Sequence, residues 1–98
     1  MVNLTWKKWL ILKDIYVDNL GEVYYLDELA KKIGKKSNDK YFRETLVILV
    51  ENDLAIIKKG IGNTKNIEID INKLEDFLKN TEFYLHLLEF QKGRKILW

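Results

Sequence analysis

One stretch of this chain reads as a β-hairpin: LAIIKKGIGNTKNIEIDI, Leu54 to Ile71. Ile67, Ile69 and Ile71 alternate with Glu68 and Asp70, as the residues of a half-buried strand do, because successive strand side chains point to opposite faces. They pair back onto LAIIKK through the loop from Gly60 to Lys65. The hairpin constrains the fold most, because almost everything around it repeats at three and four residues instead. The expected class is therefore mainly α with a small β-sheet (α+β).

The helical periods fall in order along the chain. From Thr5 to Leu20, apolar residues recur at Trp9, Leu12, Ile15, Tyr16 and Leu20, an amphipathic helix stopped by Gly21. Trp6, Leu10, Ile11 and Val17 fall outside that stripe, so the helix buries more than one face. EVYYL is a minimal strand. DELAKKIG is a two-turn helix with Asp27 and Glu28 at its positive end and Gly34 closing it. KKSNDKYFRETLVILVEND starts a longer helix at the N-cap residues Ser37 and Asn38, with Phe42, Leu46 and Leu49 on its inward face. Lys40, Glu44, Val47 and Glu51 lie opposite, with Arg43 on the flank. A last helix, NKLEDFLKNTEFYLHLLEFQ, is capped by Asn72. Leu74, Phe77, Leu78, Thr81, Leu85 and Leu88 form one stripe of it, and Phe83, Leu87 and Phe90 part of a second. The expected order is helix, strand, helix, helix, hairpin, helix, with no linker or repeat dividing residues 1–98.

Composition narrows the functional classes. The chain has 98 residues, with 17 basic and 15 acidic side chains and no cysteine. Disulfides, thiolate metal sites and a cysteine nucleophile are excluded together. No apolar run reaches the roughly 18–20 residues of a membrane span, and MVNLTWKK is no signal peptide, so a cytoplasmic protein without membrane contact is expected. The one histidine, His86, sits in the apolar last helix and is expected in a core or interface, because no second histidine or cysteine completes a metal site. Gly60-Ile61-Gly62 lies between strands and lacks the third glycine of a dinucleotide fingerprint. No triad or acid–base pair is recognisable. No enzyme and no cofactor are expected.

From about Leu12 to Ile71 the chain resembles a winged helix-turn-helix domain of the MarR, PadR and ArsR types of prokaryotic and archaeal transcription regulators. LDELAKKIG resembles the leading helix, with Leu29, Ala30 and Ile33 at its apolar positions. YFRETLVILVENDLAII resembles the recognition helix and its exit, where Leu49 and Leu54 match and Asp53 stands in place of the usual glycine. Asp tolerates the left-handed conformation that this position implies better than most residues do. The resemblance implies one winged helix-turn-helix domain over residues 1–98, double-stranded DNA as partner, and a homodimer. It also implies that residues 72–98, the C-terminal helix and tail, serve as the dimerisation element. No feature identifies a small-molecule effector.

The charges coincide with the elements that such a fold presents to a duplex. Lys31, Lys32, Lys35, Lys36, Lys40 and Arg43 fall within thirteen residues, opposed there only by Asp39, and Lys58, Lys59 and Lys65 belong to the hairpin. A lysine run by itself is a solvated surface; on this fold it is the footprint of a DNA binder. Ser37, Asn38 and the helix N-terminal amides are placed to hold a phosphate. Lys40 and Arg43 reach guanine edges or phosphates, Arg43 bidentately. Val47 can touch a thymine methyl. Glu44 accepts either from a cytosine amino group or from Lys40 one turn away. Tyr41 either packs beside the first helix or contacts backbone. In the hairpin Lys58, Lys59, Asn63, Thr64 and Lys65 face phosphates or the minor groove, while Gly60 and Gly62 let the chain turn closely.

Both terminal segments carry surplus aromatics. Trp6 and Trp9 at one end, with Phe83, Leu87, Phe90 and Trp98 at the other, form the expected dimer interface. The leading function is a homodimeric transcriptional regulator. The same residues suit a DNA-organising or partition protein that coats a site, and the acids Glu44 and Glu51 on the reading face suit a winged-helix adaptor between proteins.

Overall fold

Thr5 starts the first helix by accepting from the Lys8 amide at 3.5 Å, and α1 runs Trp6–Val17. The computed structural model describes residues 3–18, 23–60, 62 and 64–90; Gly21 lies outside them. Trp9, Leu12 and Ile15 are buried as the stripe requires, and Ile11 is buried with them on a second face.

The strand β1 (Val23–Tyr25) leads straight into α2 (Leu26–Lys32), whose first turn holds Asp27 and Glu28 and whose last holds Lys31 and Lys32, each complementary to the helix dipole. Leu29 and Ala30 are buried, whereas Ile33, expected in the core, is half-buried at its edge. Gly34, at φ +72°, ends the helix: its amide donates to the Lys31 carbonyl and that of Lys35 to Ala30. This pair of bonds is the Schellman motif, which requires a left-handed residue.

The helix α3 spans Lys40–Glu51. Its N-cap is Asp39, which accepts from the Phe42 amide at 2.9 Å, and not Ser37 or Asn38. A carboxylate at this position also meets the positive end of the helix, so it outcompetes the two neutral side chains upstream. Phe42, Leu46 and Leu49 are buried, and the buried Thr45 hydroxyl is satisfied by the Tyr41 carbonyl at 2.6 Å. At the far end Asp53 adopts φ 56° and builds a second Schellman motif, Leu54 amide to Leu49 and Asp53 amide to Val50. Leu54 then folds back into the core beside Leu49.

The hairpin follows as β2 (Ala55–Lys59) and β3 (Lys65–Ile69). The three strands are antiparallel in the order β1-β3-β2. Ile57 faces Ile67 and Lys59 faces Lys65 across the hairpin. Ile71, expected to end the strand, begins α4 instead, because Asp70 caps that helix by accepting from the Lys73 amide at 3.1 Å. Asn72 is therefore not the cap.

The expected single last helix is two: α4 (Ile71–Lys79) and α5 (Glu82–Phe90). Asn80 and Thr81 turn their side chains back on the preceding turn, to the carbonyls of Asp76 (2.8 Å) and Leu78 (2.7 Å). This local competition with the backbone ladder breaks the helix. The break reassigns the stripes. Leu74 and Leu78 stay buried in α4, but Leu85 becomes the most exposed large apolar residue described, while Leu87 and Phe83 turn inward. The described residues thus form a mixed α+β structure of five helices around one apolar core, closed on one side by the three-stranded sheet.

Candidate nucleic-acid interface

Two flanks of α3 divide the candidate residues. On the flank toward α1, Lys8 Nζ reaches Glu44 Oε2 at 2.6 Å and also donates to the Asn3 carbonyl at 2.9 Å. Beside it Lys7 lies over the Tyr41 ring, 5.1 Å from its centroid. Glu44 is thus held by Lys8 and not by Lys40. The hydrogen bond from Lys8 lowers its pKa below the ordinary carboxyl value, against a smaller opposing effect of burial. Tyr41 takes the position beside the first helix. Both side chains are drawn away from the outward surface.

The outward surface of α3 carries Lys40, Arg43, Val47, Val50 and Glu51, all exposed. It borders an open groove of about 1190 Å³ between α2, α3 and the hairpin. Arg43, Val47, Ser37, Asn38, Thr64 and Lys65 line it, so residues from the turn, the helix and the hairpin meet around one depression. Lys36 and Lys40 are exposed but do not line it. Asp27, Glu28 and Glu51 contribute acid to its lining, and Tyr25, Leu46, Val50 and Ile57 make much of it apolar. The acids at the start of α2 and this apolar lining were not anticipated. Val50 sits only 60° from Val47 on the helical wheel, which was the available signal.

The hairpin separates its three lysines. Residues paired across antiparallel strands share a face, and so do residues two apart. Lys59 and Lys65 are therefore on the face of Ile57 and Ile67, directly opposite each other, and among the described residues neither has a carboxylate partner. Lys58 is on the other face, 3.8 Å from Glu68, with both side chains well exposed. Like charges placed opposite one another destabilise a hairpin, so the Lys59–Lys65 pair is a standing cost that an anion would relieve. Gly60 makes the tip possible: a Cβ there would meet Thr64 Oγ1 at 2.5 Å, and the Gly60 amide donates to the Thr64 carbonyl at 2.8 Å. Asn63 lies outside the described residues.

The expected dimer residues divide too. Trp9 is fully enclosed within its own chain and Leu87 nearly so, which removes both from an intermolecular surface. Trp6 stacks on Trp9 at 5.4 Å with the rings 7° from parallel, and Phe83 closes on both at 6.0 and 6.4 Å. Trp6 and Leu85, 40% and 66% exposed, are what the terminal helices present outward. His86 is exposed on α5 and not in the core. Trp98 and the Phe90 side chain lie outside the described residues.

Among the described residues no three His, Cys, Asp or Glu side chains come together as metal ligands, and no helix is long and apolar enough to cross a membrane. No family model matches the chain, and no curated protein or solved structure shows significant similarity to it.

Proposed function

We propose that this chain is a winged helix-turn-helix protein that binds double-stranded DNA as a homodimer, most simply as a cytoplasmic transcriptional regulator. The observation that carries the proposal is the convergence of Arg43 and Lys65 on one groove, with Lys59 directly beside Lys65 and no carboxylate partner for any of the three among the described residues. Three unpaired cations from a helix and a hairpin, next to the exposed Lys36 and Lys40, form the kind of basic surface that neutralises phosphates. The layout supports the same reading: a short helix, a turn closed by Gly34, a longer helix, then a hairpin whose second strand lies in the centre of the sheet. In this scheme α3 enters the major groove, with Arg43 and Lys40 toward base edges and Val47 toward a thymine methyl. Lys59 and Lys65 of the hairpin reach the adjacent backbone. Trp6 and Leu85 supply the exposed apolar surface for a partner copy.

Selection of bound sequences from random duplexes, followed by footprinting, tests the reading. A regulator protects one compact site, with half-site centres about 34 Å apart or a multiple of that. A spreading footprint identifies a DNA-organising or partition protein. Absence of any shift at two salt concentrations would favour an adaptor between proteins, the reading supported by the acids Asp27, Glu28 and Glu51 on the same groove.

A further inference from the structure

Arg43, Val47 and Glu51 stand four residues apart on α3 and form one row along its outward surface. All three are exposed. Arg43 cannot reach Glu51 within the helix, since eight residues separate them by about 12 Å along its axis. Among the described residues neither charge has an opposite partner, and Glu44, the acid next to Arg43, is already held by Lys8. Beside the row lie Val50 and Ile57, 41% and 38% exposed.

A duplex complements only part of this surface. Its phosphates attract Arg43 but repel Glu51, and they offer nothing to Val50 and Ile57. The best complement carries both signs of charge around an apolar centre, and the row itself has that pattern. Turned by a two-fold axis beside Val47, it meets itself antiparallel. Val47 then packs on Val47, and Arg43 stands opposite Glu51 of the second copy, twice by symmetry. Rows of residues four apart run alongside each other in the commonest class of helix packing, with axes crossing near −50°.

We propose that α3 is a docking surface for a second copy of this chain, through a two-fold contact in which Arg43 pairs with Glu51 around Val47. The contact is separate from the terminal-helix surface of Trp6 and Leu85. It covers side chains that the DNA-binding reading presents to bases, so self-pairing through α3 and duplex binding exclude one another. That exclusion rests on the DNA-binding reading; the pairing itself does not.

Sedimentation of the full chain without DNA, across the micromolar range, tests the contact. Arg43→Glu and Glu51→Arg each set like charge against like, and each should weaken association by about tenfold or more. In an equimolar mixture each variant presents the charge that the other lacks, so association should return to the parent's strength. The double substitution R43E/E51R should restore it within one chain. Both sites are exposed, and circular dichroism checks that each variant folds. A parent that stays monomeric, single variants that associate like the parent, or a mixture and double variant that both fail to recover would overturn the proposal. A recovered mixture made by a chain that other experiments show to bind no duplex would leave the pairing standing and remove only the competition. Should the parent be monomeric and still shift duplex, the row belongs to DNA alone.

Discussion

Lys8 Nζ and Glu44 Oε2, 2.6 Å apart, join the first turn of α1 to the middle of α3. The Lys8 side chain is almost wholly buried, so the pair fixes how the outward helix sits on the rest of the fold. Its hydrogen bond depresses the Glu44 pKa below the ordinary 4.5. A group with a depressed folded pKa adds stability above its unfolded value and loses it as pH falls through the folded one. Glu44→Gln should therefore melt below the parent at pH 7, and the gap should close as pH falls below about 4.5. Glu75, also held low by Lys79 and by Tyr16, titrates in the same direction in both proteins and cancels in the comparison. A gap that is constant with pH would mean that the charge of Glu44 contributes nothing.

Asp53 occupies a left-handed position at φ 56°, where glycine carries no Cβ penalty. Asp53→Gly should stabilise the chain by about 0.5–1 kcal/mol, while Gly34→Ala, at φ +72°, should cost about 1 kcal/mol or more. Urea denaturation of the two variants checks both signs.

Leu49 is fully buried on the inward face of α3. Leu49→Ala removes its methyl groups and leaves a cavity against the sheet, with an expected loss of about 2–5 kcal/mol. A variant that unfolds with the parent's midpoint would place the helix on a different face.

The hairpin lysines should split in a way that residue type does not anticipate. Lys59→Gln or Lys65→Gln removes a like-charge pair, so each should raise stability by roughly 0.2–1 kcal/mol. Each should also lower the salt slope of duplex binding by about one unit. Lys58→Gln removes only the exposed contact with Glu68 and should leave both quantities nearly unchanged. Thermal melts and salt-dependent gel shifts on the same three variants decide it.

Arg43→Ala should weaken binding to the selected duplex by about 1–3 kcal/mol and relax preference at one base pair per half-site, with little effect on random duplex. Equal weakening on both would assign Arg43 to phosphate.

Much of the fold was legible because its signals are local. The hairpin period, Gly34 and the left-handed Asp53 all depend on a few neighbouring residues. Legibility failed where two local options competed, as at Asp39 against Ser37, or at Asn80 and Thr81, whose side chains take carbonyls from a ladder that the apolar stripe seemed to continue. It failed wholly for contacts between distant segments. Nothing near Lys8 announces Glu44, and an aromatic surplus at both ends does not say whether Trp9 meets another copy or its own Phe83. The lysines of the hairpin were visible, but only the register of β2 on β3 separates Lys58 from the other two.

The tilted packing of Phe83 against Trp6 and Trp9 has a consequence for how the chain folds. The first described helix carries two large indoles, and the ring that covers them, Phe83 of α5, comes from a segment far along the chain. Until α5 has docked, Trp9 keeps a face open to water, and the core formed by α1, α3 and the sheet stays incomplete. Closing the core therefore waits on a contact between segments far apart in sequence, whose loop-closure cost is met before its burial stabilises anything.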